Sequence, residues 1–387
     1  VLRRTTGAYA SLRVPNFRYY LGGQLVAVLG NWIQQFAQDW QALELSGYSA
    51  VALGTVLMLQ FAPILLLSLW AGGLADRWDK RRLLLAAHVG LVLIAAVQGL
   101  LTVTRSIEVE HVYVLALAWG FLTTLAYPAR HRFIPELVGE KLEVNANELN
   151  NLVFNVSRFA GPALAGLLVA AVGTGSVFLI SAAGYLAPLV ALLVIKPAGL
   201  HRAAPTERAS VRLRDVLRHI RQKPDLIQLL TLGTLGTALG VNFHLTLPLL
   251  AGLVFHSGPA SFGLLTSAVA AGAILAGLVR ARSSGDVPRL RTVVLAAIAL
   301  GVSQTAAAFM PNLASAAAVL VLAGAVLVLA GAATTAFTIS ASTLARESVP
   351  ESMRGRLIGL YRTLTEGAVP LVAPLFGVIG HVLGGRA

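Results

Sequence analysis

The sequence predicts an all-α integral membrane protein built as two helical bundles. Three observations predict this. Of its 387 residues, 56% are hydrophobic and only 12% are charged, where a soluble domain carries roughly 25% charged residues. A chain this apolar cannot cover itself with polar surface, so lipid is its solvent. Its apolar runs recur at bilayer-spanning length, and a segment of the first half returns in the second.

A hydrocarbon core of ~30 Å needs about 20 apolar residues per helix. Such runs lie near 17–40, 49–71, 83–104, 111–129, 149–172 and 175–195, and then near 225–251, 260–280, 292–310, 313–343 and 356–383. These eleven spans divide the chain into an N-terminal six-helix bundle (1–196), a cytoplasmic amphipathic linker (197–224) and a C-terminal bundle holding helices 7 to 11 (225–387). With the N-terminus in the cytoplasm, 26 of the 30 Lys and Arg fall at the N-terminus or in the loops of that same side. This is the positive-inside pattern, and it sets the expected orientation. Arg105 and Arg386 fall on the opposite side, and Arg158 and Arg362 fall inside helices. The net charge of +13 is therefore read as a surface for anionic headgroups at the cytoplasmic face and not as a nucleic-acid footprint. In the linker, Val211, Leu213, Val216, Leu217 and Ile220 alternate with bases, which suits either a headgroup-binding helix or a solvated connector.

The repeat relates Leu53–Arg82 to Phe262–Arg291 without gaps. Gly54 meets Gly263, Lys80 meets Arg289 and Arg82 meets Arg291. A parallel repeat of six-helix halves places a substrate site near mid-membrane between them. It also predicts a twelfth helix, expected beyond Ala387.

Several chemistries lack their residues. There is no cysteine, hence no disulfide and no thiolate metal site. No phosphate-binding G-x-x-x-x-G-K-[ST] loop, H-E-x-x-H or metal-spaced histidine pair is present, and no signal peptide is visible. No cofactor and no enzymatic activity are expected.

The charged knot "AGGLADRWDKRRLLL" joins the second and third spans. Its spacing, Gly72, Asp76, Arg77, Lys80 and Arg81, resembles the signature loop G-x-x-x-D-R-x-G-R-R of the major facilitator superfamily, with Asp79 where the family usually has glycine. The resemblance implies a cytoplasmic gate. Gly72 would permit close helix approach, Asp76 would face the positive N-terminus of helix 11 in the other half, and the bases would meet phosphates or acids of that half. The bland alternative is a positive-inside anchor. In the fifth span, "RFAGPALAG" resembles the G-P-x-x-G-G antiporter signature through Gly161, Pro162 and Gly166, although a plain small-residue interface has the same composition. "YPARHRFIPELV", "NANELNNLVFNVSRFAGPALAG" and "VPESMRGRL" are similar to the drug:proton antiporter-3 branch, which contains enterobactin exporters and macrolide efflux proteins. Many superfamily exporters also carry an arginine in the fourth helix, but the span "HVYVLALAWGFLTTLAY" has none.

Charges within spans are few and costly, so each needs a partner or a task. Asp39, Arg158, Arg362 and Glu366 are the candidates for proton coupling. The alternatives are a structural Arg362–Glu366 pair at i, i+4 and an interfacial Asp39 that reaches water. Asn31, Trp32, Gln34, Gln35, Gln60, Asn242, His244 and Gln304 are candidate cavity lining, each of which serves equally as an interhelical hydrogen bond. The resemblance implies a monomeric, multi-pass secondary exporter of small amphipathic molecules in a bacterial cytoplasmic membrane. It would work by alternating access and be driven by the proton gradient. An importer or differently coupled transporter, or a non-transporting membrane protein or enzyme, is the competing expectation.

Overall fold

The computed structural model describes residues 9–201, 218–224 and 243–281, with scattered positions and short runs of up to four residues between 227 and 378. Among the described residues the chain is helical throughout. After a 3-10 turn at Ala10–Arg13 come α1 (Pro15–Leu45), α2 (Ala50–Arg77), α3 (Lys80–Val103), α4 (Val109–Val138), α5 (Glu143–Val172) and α6 (Thr174–Val194). Further on lie α7 (Phe243–Leu249), a π-helical turn at Leu250–Val254, and α8 (Pro259–Ala281). Among the described residues, five segments are long and apolar enough to cross a membrane: Ala50–Ser68, Lys80–Val103, Val109–Val138, Glu140–Val172 and Thr174–Val194. α1 is not among them, because Gln24, Gln34, Gln35, Gln38, Asp39 and Gln41 lower its hydropathy. All six are buried, so the helix turns its polar residues into protein.

The chain clusters into two compact units. One comprises Val1–Leu45 with Leu66–Thr206, and the other Ser46–Leu65 with Glu207–Ala387. In the first unit α1, α3, α4 and α6 pack in a closed ring, α1 on α6 and α4, α3 on α6 and α4, with α5 against α1. The ring closes tightly where Gly23 of α1 meets α6. A Cβ there would stand 2.8 Å from Ala191 Cβ and 3.0 Å from Pro188 Cα. α5 and α6 are joined at Gly173, whose φ of +80° favours glycine. Two apolar clusters fill the ring. One holds Phe17, Tyr20, Leu84, Ala87, Ala126, Ala129, Phe133 and Leu137, and the other holds Leu91, Ile94, Trp119, Ala182 and Tyr185.

Two elements run further than hydropathy predicts. α4 continues to Val138 instead of ending near 129, and α5 begins at Glu143 instead of 149. In α4 the reason is amphipathicity. Ala129, Phe133, Ile134 and Leu137 keep one face fully buried while bases occupy the rest, so packing sustains the helix after mean hydropathy has fallen. The expectation of a fourth helix without arginine is therefore corrected, because Arg130 and Arg132 lie within α4.

In the second unit, the backbone before α8 repeats that before α2. Gly47 (φ +63°) stands three residues before Ala50, and His256 (φ +45°) three before Pro259. The offset is the one that relates Leu53 to Phe262. Tyr48 packs on the π turn, where a Cβ on Gly252 would stand 2.6 Å from its ring.

Candidate transport site

α1 carries most of the polar candidates, and it distributes them among different neighbours. Asn31 accepts a 2.6 Å hydrogen bond at Oδ1 from the Tyr185 hydroxyl of α6. Trp32 faces α5. Its ring meets Phe154 edge-on, with centroids 5.9 Å apart, and Arg158 places its guanidinium carbon 6.0 Å from the Trp32 centroid. A guanidinium over an indole is attracted by the ring quadrupole. Gly161, one turn further along α5, makes this junction possible, since a Cβ there would overlap Trp32 Cβ. The structure thus brings together three sequence candidates of three different kinds: Trp32, Arg158 and Gly161. Pro162 lies within α5, and Gly161 and Gly166 are buried.

Gln34 and Gln35 are buried, and neither amide atom of Gln34 has a hydrogen-bond partner. Gln60 of α2 is fully buried. Asp39 is also fully buried, so the expectation that it reaches water is corrected. It lies seven residues beyond Trp32, about 10 Å along the helix, so the structure does not gather it with Arg158.

Toward the far end of α1 the polar residues saturate one another. Gln38 Nε2 donates to Gln98 Oε1 at 3.1 Å, Gln98 Nε2 to Gln41 Oε1 at 2.9 Å, and Gln41 Nε2 to Thr102 Oγ1 at 2.7 Å. The Thr102 hydroxyl donates onward to the Gln98 carbonyl at 2.6 Å. Beyond this ladder a cavity of ≈ 450 Å³ opens among Gln41, Glu44, Thr102, Arg105 and the α5–α6 turn.

The α2–α3 turn is organised from within its own bundle. Asp79, the residue that departs from the superfamily pattern, is the N-cap of α3 and accepts from the Arg82 backbone N–H at 2.9 Å. Lys80 pairs with Glu136 of α4 at 3.0 Å. Arg81 donates to the Leu192 and Leu193 carbonyls at the end of α6, at 2.8 and 3.2 Å, satisfying carbonyls that a helix terminus leaves open. The expectation that these bases serve phosphates or the other half is corrected for Lys80 and Arg81. Gly72 also differs from expectation. A Cβ there would meet no described atom within 4 Å, and its role runs through its carbonyl, which accepts from Arg132 Nη1 at 2.7 Å. Asp76 and Arg77 lie in the last turn of α2 and His244 in α7, with side chains outside the described set. Asn242, Gln304, Arg362 and Glu366 lie outside the described residues.

Sequence reasoning missed Gln98, Thr102, Arg132 and Glu136. Gln98 and Thr102 are one helical turn apart on α3, as Gln34 and Gln38 are on α1. Matching i, i+4 polar pairs on two apolar helices were the available signal.

A polar inner helix wrapped by apolar ones, an aromatic–arginine junction and a basic turn locked to its bundle make a polytopic membrane protein, and the family model and relatives place it among the major facilitator transporters. The chain belongs to the transmembrane secretion effector family, whose family model matches residues 6–385. It is 30% identical to the staphyloferrin A transporter of Staphylococcus aureus over 265 residues, 68% of this chain and 66% of that protein. It is 27% identical to the multidrug efflux pump Tap of Mycolicibacterium fortuitum over 369 residues, 93% of this chain and 88% of that protein. Among solved structures it resembles a bacterial homologue of the human lysosomal transporter Spinster, with a TM-score of 0.73 at 15% identity, over 95% of this chain and 83% of that one. That likeness establishes the fold. The protein is a multi-pass membrane transporter and not an enzyme.

Proposed function

We propose that the protein is a secondary active exporter of small amphipathic molecules, working by alternating access and driven by the proton gradient without a bound cofactor. The observation that carries this reading is the alignment with a multidrug efflux pump over 93% of the chain. The α1–α5 junction supports it, because one exposed guanidinium over the Trp32 ring suits cargo that is part apolar and part polar. The two arginines of α4 remove the objection to proton coupling that the short fourth span raised.

In this reading the chain is a monomer in a bacterial cytoplasmic membrane. The N-terminus and the α2–α3 turn are cytoplasmic, and the bases lie against anionic headgroups. Residues 1–196 and 225–387 act as the moving bundles, joined by 197–224. Gly72, Asp76, Arg77, Lys80 and Arg81 form the cytoplasmic gate, with Asp76 as the latch toward helix 11. Lys80 and Arg81 hold the turn rigid so that Asp76 is presented in one place. Glu366 is the leading proton carrier, ahead of Asp39, with Arg158 and Arg362 as the facing cations.

Efflux of a fluorescent amphipathic cation from proteoliposomes under an imposed pH gradient tests this. The wild type is expected to respond to the gradient, Asp76→Asn to lose most flux while remaining folded, and Glu366→Gln to lose the pH dependence. Gradient-independent flux in the wild type would remove proton antiport. Full flux in Asp76→Asn would remove the latch.

A further inference from the structure

Between the two apolar clusters of the N-terminal bundle lies a polar layer whose unpartnered donors the transport reading leaves unassigned. Arg130 of α4 shares its helical face with Ala126, Phe133 and Ile134, which point into the ring of α1, α3, α4 and α6. Tyr20 of α1 packs on Phe133, ring centroids 5.8 Å apart, and is 1% exposed. His88 of α3 is 1% exposed and stands between Leu84 and Ala87 of one cluster and Leu91 of the other. Tyr185 of α6 is fully buried. Phe133, three residues after Arg130 on the same face of α4, carries the Tyr20 ring against it, so Tyr20 and Arg130 lie on the same side of α4. The helices of His88, Arg130 and Tyr185 agree on depth, while Tyr20 lies shallower, five residues or about 7–8 Å from the start of α1. His88 lies eight residues from the start of α3, Arg130 eight from the end of α4 and Tyr185 nine from the end of α6, so each is about 12–14 Å from the same end of the bundle.

The layer contains a cation and unused donors. Arg130 Nε is buried without a hydrogen-bond partner, and so is the Tyr20 hydroxyl. Tyr185 has its proton committed to Asn31, and His88 Nδ1 donates to the Leu84 carbonyl at 2.8 Å. No described carboxylate neutralises the guanidinium. Glu136, the nearest acid on α4, is six residues away, about 9 Å along the axis, and is held by Lys80. Asp39 and Glu44 lie at the other end of α1. A guanidinium whose Nε–H is buried without an acceptor is stabilised by a counter-charge placed against it. Arg130 as a whole is only partly buried, which leaves a route for a small solute.

We propose that this layer binds one small monovalent anion of the halide class, held by Arg130 Nε and the Tyr20 hydroxyl inside the N-terminal bundle. A single charge neutralises the single guanidinium, whereas a divalent anion would leave the layer negative.

The test is thermal unfolding of the purified full chain in detergent. Chloride or bromide replaces gluconate at constant ionic strength, with sulfate as the divalent arm. The wild type is expected to gain about 2–4 °C, saturably, with halide but not with sulfate. Arg130→Gln should lose the response, and Tyr20→Phe, which keeps the packing, should raise the half-saturating concentration about tenfold. A wild type indifferent to halide overturns the proposal even if both variants fail to fold. A folded Arg130→Gln with an undiminished halide response overturns it as well.

Discussion

Two polar layers cross the same helical bundle, and they are built on opposite principles. Near the far end of α1, Gln38, Gln98, Gln41 and Thr102 pass hydrogen bonds from one to the next at 2.7–3.1 Å. Near the α2–α3 turn, Arg130 Nε and the Tyr20 hydroxyl, though just as deeply placed, hold donors that nothing accepts. Both layers join α1 to its neighbours in an apolar surround, so a partner in lipid is no easier to find in one than in the other. The saturated layer fixes α1 to α3, and none of its buried side-chain atoms is left without a partner. The unsaturated layer carries a charge and spare donors, which is what a site for a small ion requires. Polarity alone therefore does not mark function in a transporter interior. The balance of donors and acceptors does.

The largest effect is expected in the saturated layer. Gln98→Leu removes the partner of Gln38 Nε2 and of Gln41 Oε1 at one stroke, and a buried group left unsatisfied costs about 1–3 kcal/mol. Intramembrane hydrogen bonds run weaker, averaging about 0.6 kcal/mol, so a loss of about 1–3 kcal/mol, read as a fall in Tm, is the expected outcome. An unchanged Tm would mean that the ladder adds nothing to the α1–α3 contact. Asp79→Ala comes next. It removes the N-cap of α3 and should cost about 0.5–2 kcal/mol, with Asp79→Asn close to wild type because an amide oxygen caps equally well. A cap-independent Tm would leave the α2–α3 turn held by Lys80 and Arg81 alone.

Arg130→Met inverts the pattern and sharpens the comparison most. It deletes a charge that no described side chain neutralises, and it keeps the volume. In halide-free buffer the variant should unfold at the wild-type temperature or above it, because the partly buried guanidinium has no described counter-charge to lose. A fall as large as that of Gln98→Leu would show that Arg130 is already paired.

Much of this architecture is legible in the sequence, and the illegible part has a physical cause. Hydropathy located five spanning segments, because lipid exposure demands an apolar surface over a fixed length. It ended the fourth span near 129, because Arg130, His131 and Arg132 read as loop bases when averaged along the chain. Only the helical phase of Ala126, Ala129, Phe133 and Leu137 shows that the helix continues and which way Arg130 faces. Asp79 was legible as a departure from a pattern and illegible as a cap, although an aspartate before an apolar helical run is a start signal in its own right. The contact of Trp32 with Gly161 joins residues far apart in the chain, and no local signal carries it.

The smallest effect separates a charge that has found its partner from one that has not. Lys80 and Glu136 stand 3.0 Å apart with side chains 25% and 15% exposed, at the rim where water still reaches. Screening there reduces an ion pair to about 0–1 kcal/mol. A double-mutant cycle of Lys80→Ala and Glu136→Ala should therefore return a coupling below about 1 kcal/mol, and it should shrink further as salt rises. The halide response assigned to Arg130, six residues back along α4, should survive in both single variants, since neither touches the buried layer. If Glu136→Ala changed that response, Glu136 would be acting on Arg130 through α4. The rim pair and the buried cation would then be one electrostatic unit, and the distinction between satisfied and unsatisfied layers would have to be drawn further inward.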